Sequence, residues 1–412
     1  MEKHIHKRLD ENLVKFIFEK YVSKQISFEQ ASKKLDLKKT RFFELLRLYK
    51  KDPGSFSIEY KRESPKRIDP KLEKIILKEL KRTKELINDK EIPVYNYNYN
   101  YLKDLISDEY HLTVSAPTII NRAKEHNFYI PRRKTKIHDR EVITNHPGEL
   151  IQHDSSFHRF SPLADKKWYL ITSIDDFSRY LLYAALIEKE TTWTHILALE
   201  SVILRFGIPF SYYTDSHSIF RFVQGRDSTW RNHKKLTDQV ITQWKMVLDD
   251  LDINLKYALS PQAKGKVERP YRWLQDRLVR TCLRKKITTI NKAQQILNYE
   301  VNRYNNHQVH STTKEIPVLR FENAVKNGRS LFREFKTPAP YEEPKDIFCF
   351  RLTKPVDAYH NVSMNGMKFR VKGVPLRENV EIRVVPDRKG AVAELRFWYK
   401  GELVDKHLMK NN

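Results

Sequence analysis

The chain has 412 residues, 40% hydrophobic and 31% charged. That is too long for one ordinary core and apolar enough to build about two to four soluble domains. Its 77 Lys+Arg against 52 Asp+Glu leave a net charge of +25, which argues against a generic metabolic enzyme and for a polyanionic partner. The excess is spread along the chain, +12 over 1–140 and +13 over 141–412, so a polyanion is expected to track across several domains. Only two cysteines occur, Cys282 and Cys349, which excludes a disulfide framework and a multi-cysteine zinc site. The N-terminus lacks an apolar signal core, and no run reaches the roughly 18 apolar residues of a membrane span. A cytoplasmic protein with reduced thiols and no membrane partner is expected.

The first elements are helical. Leu13, Val14, Phe16, Ile17 and Tyr21 recur at helical spacing. Ser27, three residues before Gln30, reads as a capping box opening a second helix. The stretch KKTRFFELLRLYKK reads as a third, with Phe42, Leu45, Leu46 and Tyr49 inward and Lys39 and Arg41 outward. A short helix, a turn and a basic helix make a helix-turn-helix plan over 1–52, which a plain helical bundle shares. Residues 53–69, rich in proline, serine and charge, read as a linker. Residues 70–140 read as a second helix-turn-helix unit ending in the basic run PRRKTKIHDR. Its third helix is capped by Ser115 and exposes Thr118, Asn121, Arg122 and Lys124. The alternation from Tyr95 to Tyr101 suits a short strand or an extended insertion.

From 141 to 325 strands and helices alternate. ELIQHDSSF is a strand, and KWYLITSIDDFSRYLLYAALI is two strands around a turn at 175–178. A helix stopped by Gly207 follows, then PFSYYTD, another helix, INLKYAL, and the amphipathic VERPYRWLQDRLVRTCL. This is a mixed sheet covered by helices. After a linker at 326–344, the stretch 345–412 is rich in strand formers, with hairpin signals at Asn365-Gly366 and Lys389-Gly390, and reads as a small β-barrel.

Three acids stand out: Asp154 inside a strand, Asp215 at a strand end, and Glu268 opening a helix after SPQAKGK. An acid in a buried strand is costly unless paired or metal-bound. Three converging acids would suit two divalent cations about 3.5–4 Å apart, able to activate a nucleophilic oxygen and stabilise the leaving oxygen of a phosphodiester. Asp175 and Asp176 read as turn residues, and His153 and His217 as structural.

In order and surroundings these residues resemble the DDE polynucleotidyl transferases: insertion-sequence transposases and the integrase core, with an RNase H-like fold. SPQAKGKVERPYRWLQDRL is similar to the family's helix bearing the third acid. IDDFSRY matches its hairpin turn, and YNNHQVHSTTKEIP its closing segment. Two features depart from the pattern. The 52 residues between Asp215 and Glu268 exceed the usual spacing, the excess falling in 221–235, and Ser216-His217 replaces the usual Asn-Gly.

The resemblance implies a multidomain protein, with N-terminal all-α helix-turn-helix units, a central α/β RNase H-like sheet and a C-terminal β-barrel. Asp154, Asp215 and Glu268 would be the catalytic and metal-binding triad. They would hold two Mg²⁺ per site, with Mn²⁺ as an alternative. Lys39, Arg41, Thr118, Asn121, Arg122, Lys124, Gln262, Lys264, Lys266 and Arg269 would contact DNA. The implied partners are double-stranded DNA, as transposon ends and target, and further copies of the chain on synapsed ends, in a nucleoid-associated setting. The competing readings are a DNA-binding regulator with an inactive core and an RNase H-type nuclease.

Overall fold

The computed structural model describes residues 8–59, 68–131, 143–215, 217–220, 241–257, 265–387 and 392–410, with only the backbone described over 265–269. Two compact units divide at Lys74 and Ile75.

In the first unit, α1 (Glu11–Val22), α2 (Phe28–Leu35) and α3 (Lys39–Lys51) enclose Val14, Ile17, Phe18, Leu35, Phe42, Leu45 and Leu46. The Ser27 capping box is formed, its hydroxyl accepting from the Gln30 amide while the Gln30 side chain accepts from the Ser27 amide. Leu13 and Phe16 lie on the exposed face of α1. Phe56 and Ile58, inside the stretch expected to be a linker, are buried in this core. The Phe56 ring stands edge-on to Phe18 at 5.8 Å.

The second unit contains the sheet and both flanking modules. Strands β1 (Ile151–His158), β2 (Trp168–Asp175), β3 (Leu181–Ile187), β4 (Ser211–Thr214) and β5 (Asn254–Tyr257) form one sheet in the order β3-β2-β1-β4-β5. The pairs β1–β2 and β2–β3 are antiparallel, whereas β1–β4 and β4–β5 are parallel. Helices α7 (Thr192–Phe206) and α8 (Gln243–Asp250) cover one face through Ile196, Leu199, Val202, Trp244 and Leu248. Helices α9 (Gly265–Arg284) and α10 (Ile290–Asn306) cover the other through Tyr271, Leu274, Leu278 and Leu297. This is the mixed, doubly covered sheet expected of an RNase H-like core. Helix α11 (Pro317–Lys326) follows.

Helices α4 (Pro70–Asn88), α5 (Tyr99–Tyr110) and α6 (Ala116–Glu125) form the second helical module. The part of it within the second unit is fastened to α9 and α10. Arg284 reaches Glu79 at 2.8 Å and Glu109 at 2.7 Å. Buried Arg277 pairs with Glu300 at 3.1 Å and with Asp104, and Arg303 pairs with Asp108 at 2.5 Å. The tyrosine–asparagine alternation is not a strand: it runs from a loop into α5 at Tyr99. Asn98 caps α5 and donates to Asp276 at 2.6 Å, the Asn96 carbonyl accepts from Arg280, and the Tyr101 hydroxyl meets Thr281 at 3.0 Å.

The expected C-terminal barrel is corrected. Strands β6 (Phe350–Pro355), β9 (Asn379–Pro386), β10 (Val392–Tyr399) and β11 (Glu402–Lys410) form an antiparallel sheet in the order β11-β10-β9-β6, while β7 (Asn361–Met364) and β8 (Met367–Arg370) make a separate hairpin. Among the described residues β6 and β11 remain edges and nothing closes the sheet. Both edge strands are largely solvated, with Leu352, Thr353 and Lys354 exposed on β6 and Glu402, Lys406 and Leu408 on β11. Charges on an edge blunt further strand pairing. The hairpin turn at Asn365-Gly366 is formed with positive φ at both residues, whereas Lys389-Gly390 lies outside the described residues. No described helix is long and apolar enough to cross a membrane.

Candidate active site

The parallel register sets β1 beside β4. Ile151 pairs with Tyr212 and Gln152 with Tyr213. Asp154 lies two residues beyond Gln152 within β1, and Asp215 two beyond Tyr213, one residue past the end of β4. Adjacent strands are about 4.8 Å apart. Side chains alternate across a sheet. Ile151 belongs to the core under α7 and α8, so Asp154 falls on the opposite face of β1, the one covered by α9.

Helix α9 is pinned beside them. The Tyr271 hydroxyl donates to the Asp154 carbonyl and accepts from Thr172 at 2.9 Å, and Gln275 donates to Ser156 at 2.7 Å. Burial, and next the Asp154 charge, push the Tyr271 phenol well above its ordinary range, so it stays a hydroxyl donor. Asp215 closes its own loop by accepting the His217 amide at 2.9 Å. Glu268 lies within α9, three residues before Tyr271, and its side chain is outside the described residues. Among the described residues no group of three or more His, Cys, Asp or Glu side chains is placed to share a metal ion. The described part of the site therefore holds the carboxylates of Asp154, within β1, and Asp215, just past the neighbouring strand β4. Magnesium is commonly held by one or two carboxylates and otherwise by water and phosphate oxygens, so this oxygen donor set fits it.

The neighbouring acids have other work. Asp175 is buried and accepts from the Gly148 amide at 2.9 Å and from the Ser178 amide and hydroxyl at 2.8 and 2.5 Å. Burial pushes its carboxyl up to about 6 against those hydrogen bonds. Asp176 accepts from Arg179 at 2.7 Å and Gln152 at 2.5 Å. Both serve the β2–β3 turn, as their position in IDDFSRY suggests. His153 is buried, bonded to Ser173 and His195 at 2.8 Å each, and burial holds it well below the ordinary histidine range. His217 is exposed.

The expected DNA-contacting residues are dispersed. Lys39 and Arg41 are exposed at the start of α3, Arg41 paired with Glu44 at 3.0 Å. On α6, Asn121 and Lys124 are exposed, Lys124 lying 5.1 Å over the Tyr129 ring. Arg122 pairs with Glu125 at 2.5 Å, and the Thr118 hydroxyl meets Ser115 at 2.8 Å. Gln262 and Lys264, like the 221–235 stretch, lie outside the described residues, as do the side chains of Lys266 and Arg269. Sequence reasoning did not single out Tyr271, Glu190 or His195. A lone tyrosine on an apolar helix face and a polar Glu-Lys-Glu strand end carry no signal until the sheet is assembled.

No family model matches the chain. It is 31% identical over 195 residues, 47% of its length, to a candidate transposase, y4bF, of Sinorhizobium fredii. It is 30% identical over 233 residues, 53% of its length, to the transposase for insertion sequence IS1202 of Streptococcus pneumoniae. The chain spans 41% and 48% of those two proteins. Looser likenesses include the HTLV-2 integrase catalytic core domain in complex with magnesium, 20% identical over 40% of this chain and 92% of that one at a TM-score of 0.30. The BIV integrase catalytic core is 17% identical over 44% of this chain and 98% of that one at 0.32. By sequence the chain is similar to insertion-sequence transposases over about half its length.

Proposed function

We propose that this chain is a transposase of the DDE type. In this reading it binds the double-stranded ends of its element and performs Mg²⁺-dependent phosphodiester hydrolysis and strand transfer with Asp154, Asp215 and Glu268. The observation that supports the reading is the parallel pairing of β1 with β4, the strand that holds Asp154 lying beside the one that Asp215 directly follows. Glu268 and Tyr271 are spaced to share one face of that helix, and Tyr271 is already bonded to the Asp154 backbone.

The three carboxylates would hold the metal ions, whose chemistry is to activate the attacking oxygen and offset charge on the leaving one. Tyr271 and Gln275 hold α9 against β1 and so keep the third acid's helix in place. Lys39, Arg41, Asn121 and Lys124 present polar or basic groups to duplex phosphates, and Gln262, Lys264, Lys266 and Arg269 are assigned to phosphates beside the scissile bond. Two ends are to be joined together, so the working form is assigned as an oligomer.

The test uses labelled duplexes from the DNA flanking the gene, with Mg²⁺. The parent should release a 3′-OH at a defined end and join it to target DNA. Asp154→Asn, Asp215→Asn and Glu268→Gln should each abolish cleavage and leave end binding intact. Metal-dependent cleavage by Asp154→Asn would refute the triad. End binding without cleavage by the parent would leave a DNA-binding regulator.

A further inference from the structure

Asp154 is flanked on β1 by His153 and Ser155, which alternation places together on the opposite face of the strand. Both belong to one hydrogen-bond circuit. The Ser155 hydroxyl donates to Glu190 Oε1. The same oxygen meets His195 Nε2 at 3.0 Å, and His195 Nδ1 meets His153 Nε2 at 2.8 Å. His153 Nδ1 then meets the Ser173 hydroxyl at 2.8 Å on β2. With Glu190 as a carboxylate and both imidazoles neutral, the direction is Ser173 O–H to His153, His153 N–H to His195, and His195 N–H to Glu190.

The circuit is largely buried. The His195 side chain is fully buried and that of Glu190 is 13% exposed. The His153 ring is stacked 5.7 Å from Trp244 and edge-on to His195 at 5.0 Å. Glu190 ends the connection from β3, and His195 lies in the first turn of α7, whose start is fixed by the Thr191 capping box. The element opposite Asp154 therefore grips β1 at the residues immediately before and after it.

We propose that Glu190 and His195 are positioning residues, which clamp β1 on both sides of Asp154 and so fix that carboxylate for cation binding. The inference rests on the reading of Asp154 and Asp215 as the cation-binding pair. The clamp requires an acceptor at position 190, and it does not require a charge there. Glutamine keeps the acceptor and leucine removes it, so the two substitutions separate clamping from direct charge.

The experiment titrates Mn²⁺ calorimetrically into the DNA-free full chain and measures Mg²⁺-dependent cleavage of the flanking duplex, with melting by circular dichroism. Loss of the groups that orient a metal ligand typically costs about 10–100-fold in metal affinity or activity. Glu190→Leu should weaken Mn²⁺ binding by about that factor and lower kcat with the KM for DNA unchanged. Glu190→Gln should restore both to within about threefold of the parent. Should Glu190→Leu fail to fold, Ser155→Ala, which removes one limb of the clamp at little cost in volume, carries the test with a smaller loss of the same sign. Unchanged Mn²⁺ affinity and kcat in Glu190→Leu or, where that variant is unfolded, in Ser155→Ala overturn the proposal. A Gln variant as defective as the Leu variant overturns it too, because charge would then be the requirement. Equal Mn²⁺ binding by the parent and Asp154→Asn overturns the underlying assignment of the acid pair, a result distinct from either.

Discussion

Arg277→Met tests the docking of the second helical module on the catalytic helix. Arg277 is 1% exposed, lies 4.5 Å over the Trp273 ring, and pairs with Glu300 at 3.1 Å and with Asp104. Methionine retains much of the volume and leaves two acids facing a cavity that has lost its cation. Glu300 is itself 3% exposed. Breaking one side of a buried pair costs about 3–5 kcal/mol, because the remaining charge is stranded. The deficit should be largest at neutral pH and above. Burial already raises the Glu300 carboxyl, against the pull of Arg277 and Arg303, and removing Arg277 raises it further. A group raised on folding contributes stability below its unfolded value and loses it as pH rises through its folded value. The variant should therefore recover towards the parent as pH falls into the carboxylate range. Adding Glu300→Gln should restore part of the loss at neutral pH. Urea unfolding followed by circular dichroism reads each difference. Coincident midpoints for parent and Arg277→Met at neutral pH, or a deficit that does not change with pH, would refute the argument.

Asp175, raised from 3.8 to about 6, should withdraw about 3 kcal/mol of stability as pH rises through that window, and Asp175→Asn should flatten that part of a pH–stability curve. Ser27→Ala removes the hydroxyl that caps the Gln30 amide, while the residue-27 amide keeps its bond to the Gln30 side chain, and should cost about 0.5–2 kcal/mol, read from the melting of the first unit. Gly207 has φ +99° where α7 ends, and an added Cβ would stand 2.4 Å from the Arg333 carbonyl. Gly207→Ala should therefore lower the melting temperature and disturb the Ile208–Arg333 bridge. Binding to duplex DNA should fall at least about tenfold between about 50 and 200 mM salt, and Lys39→Ala with Arg41→Ala should reduce the slope measured by fluorescence anisotropy.

Much of the core was legible in the sequence because each strand and helix carries its own period. The runs LIQHD, WYLITSID and LLYAALI are strands, and Gly207 stops α7. The pairing of β1 with β4 was not legible, since the partner of a strand is set by the assembled sheet and not by its own residues. Helix α10 went unread: INKAQQILNYEVNRYNN carries only a thin apolar stripe, with Ala293, Leu297 and Tyr304 buried. The barrel expectation failed because alternation identifies strands without saying whether the two outer ones meet. The tyrosine–asparagine repeat misled for a related reason, as period-two sequence there serves a helix cap and a docking surface.

The arginines of α9 and α10 find their counter-ions on the module that precedes the sheet. A truncation that began at residue 141 would strip Glu79, Asp104, Asp108 and Glu109 from Arg277, Arg284 and Arg303, leaving Arg277 with Glu300 alone and taking both acids from Arg284, on the very helix that bears Glu268. The smallest autonomous fragment around the acids should accordingly start near Ile75, and a core excised at the sheet's own border should be recovered insoluble.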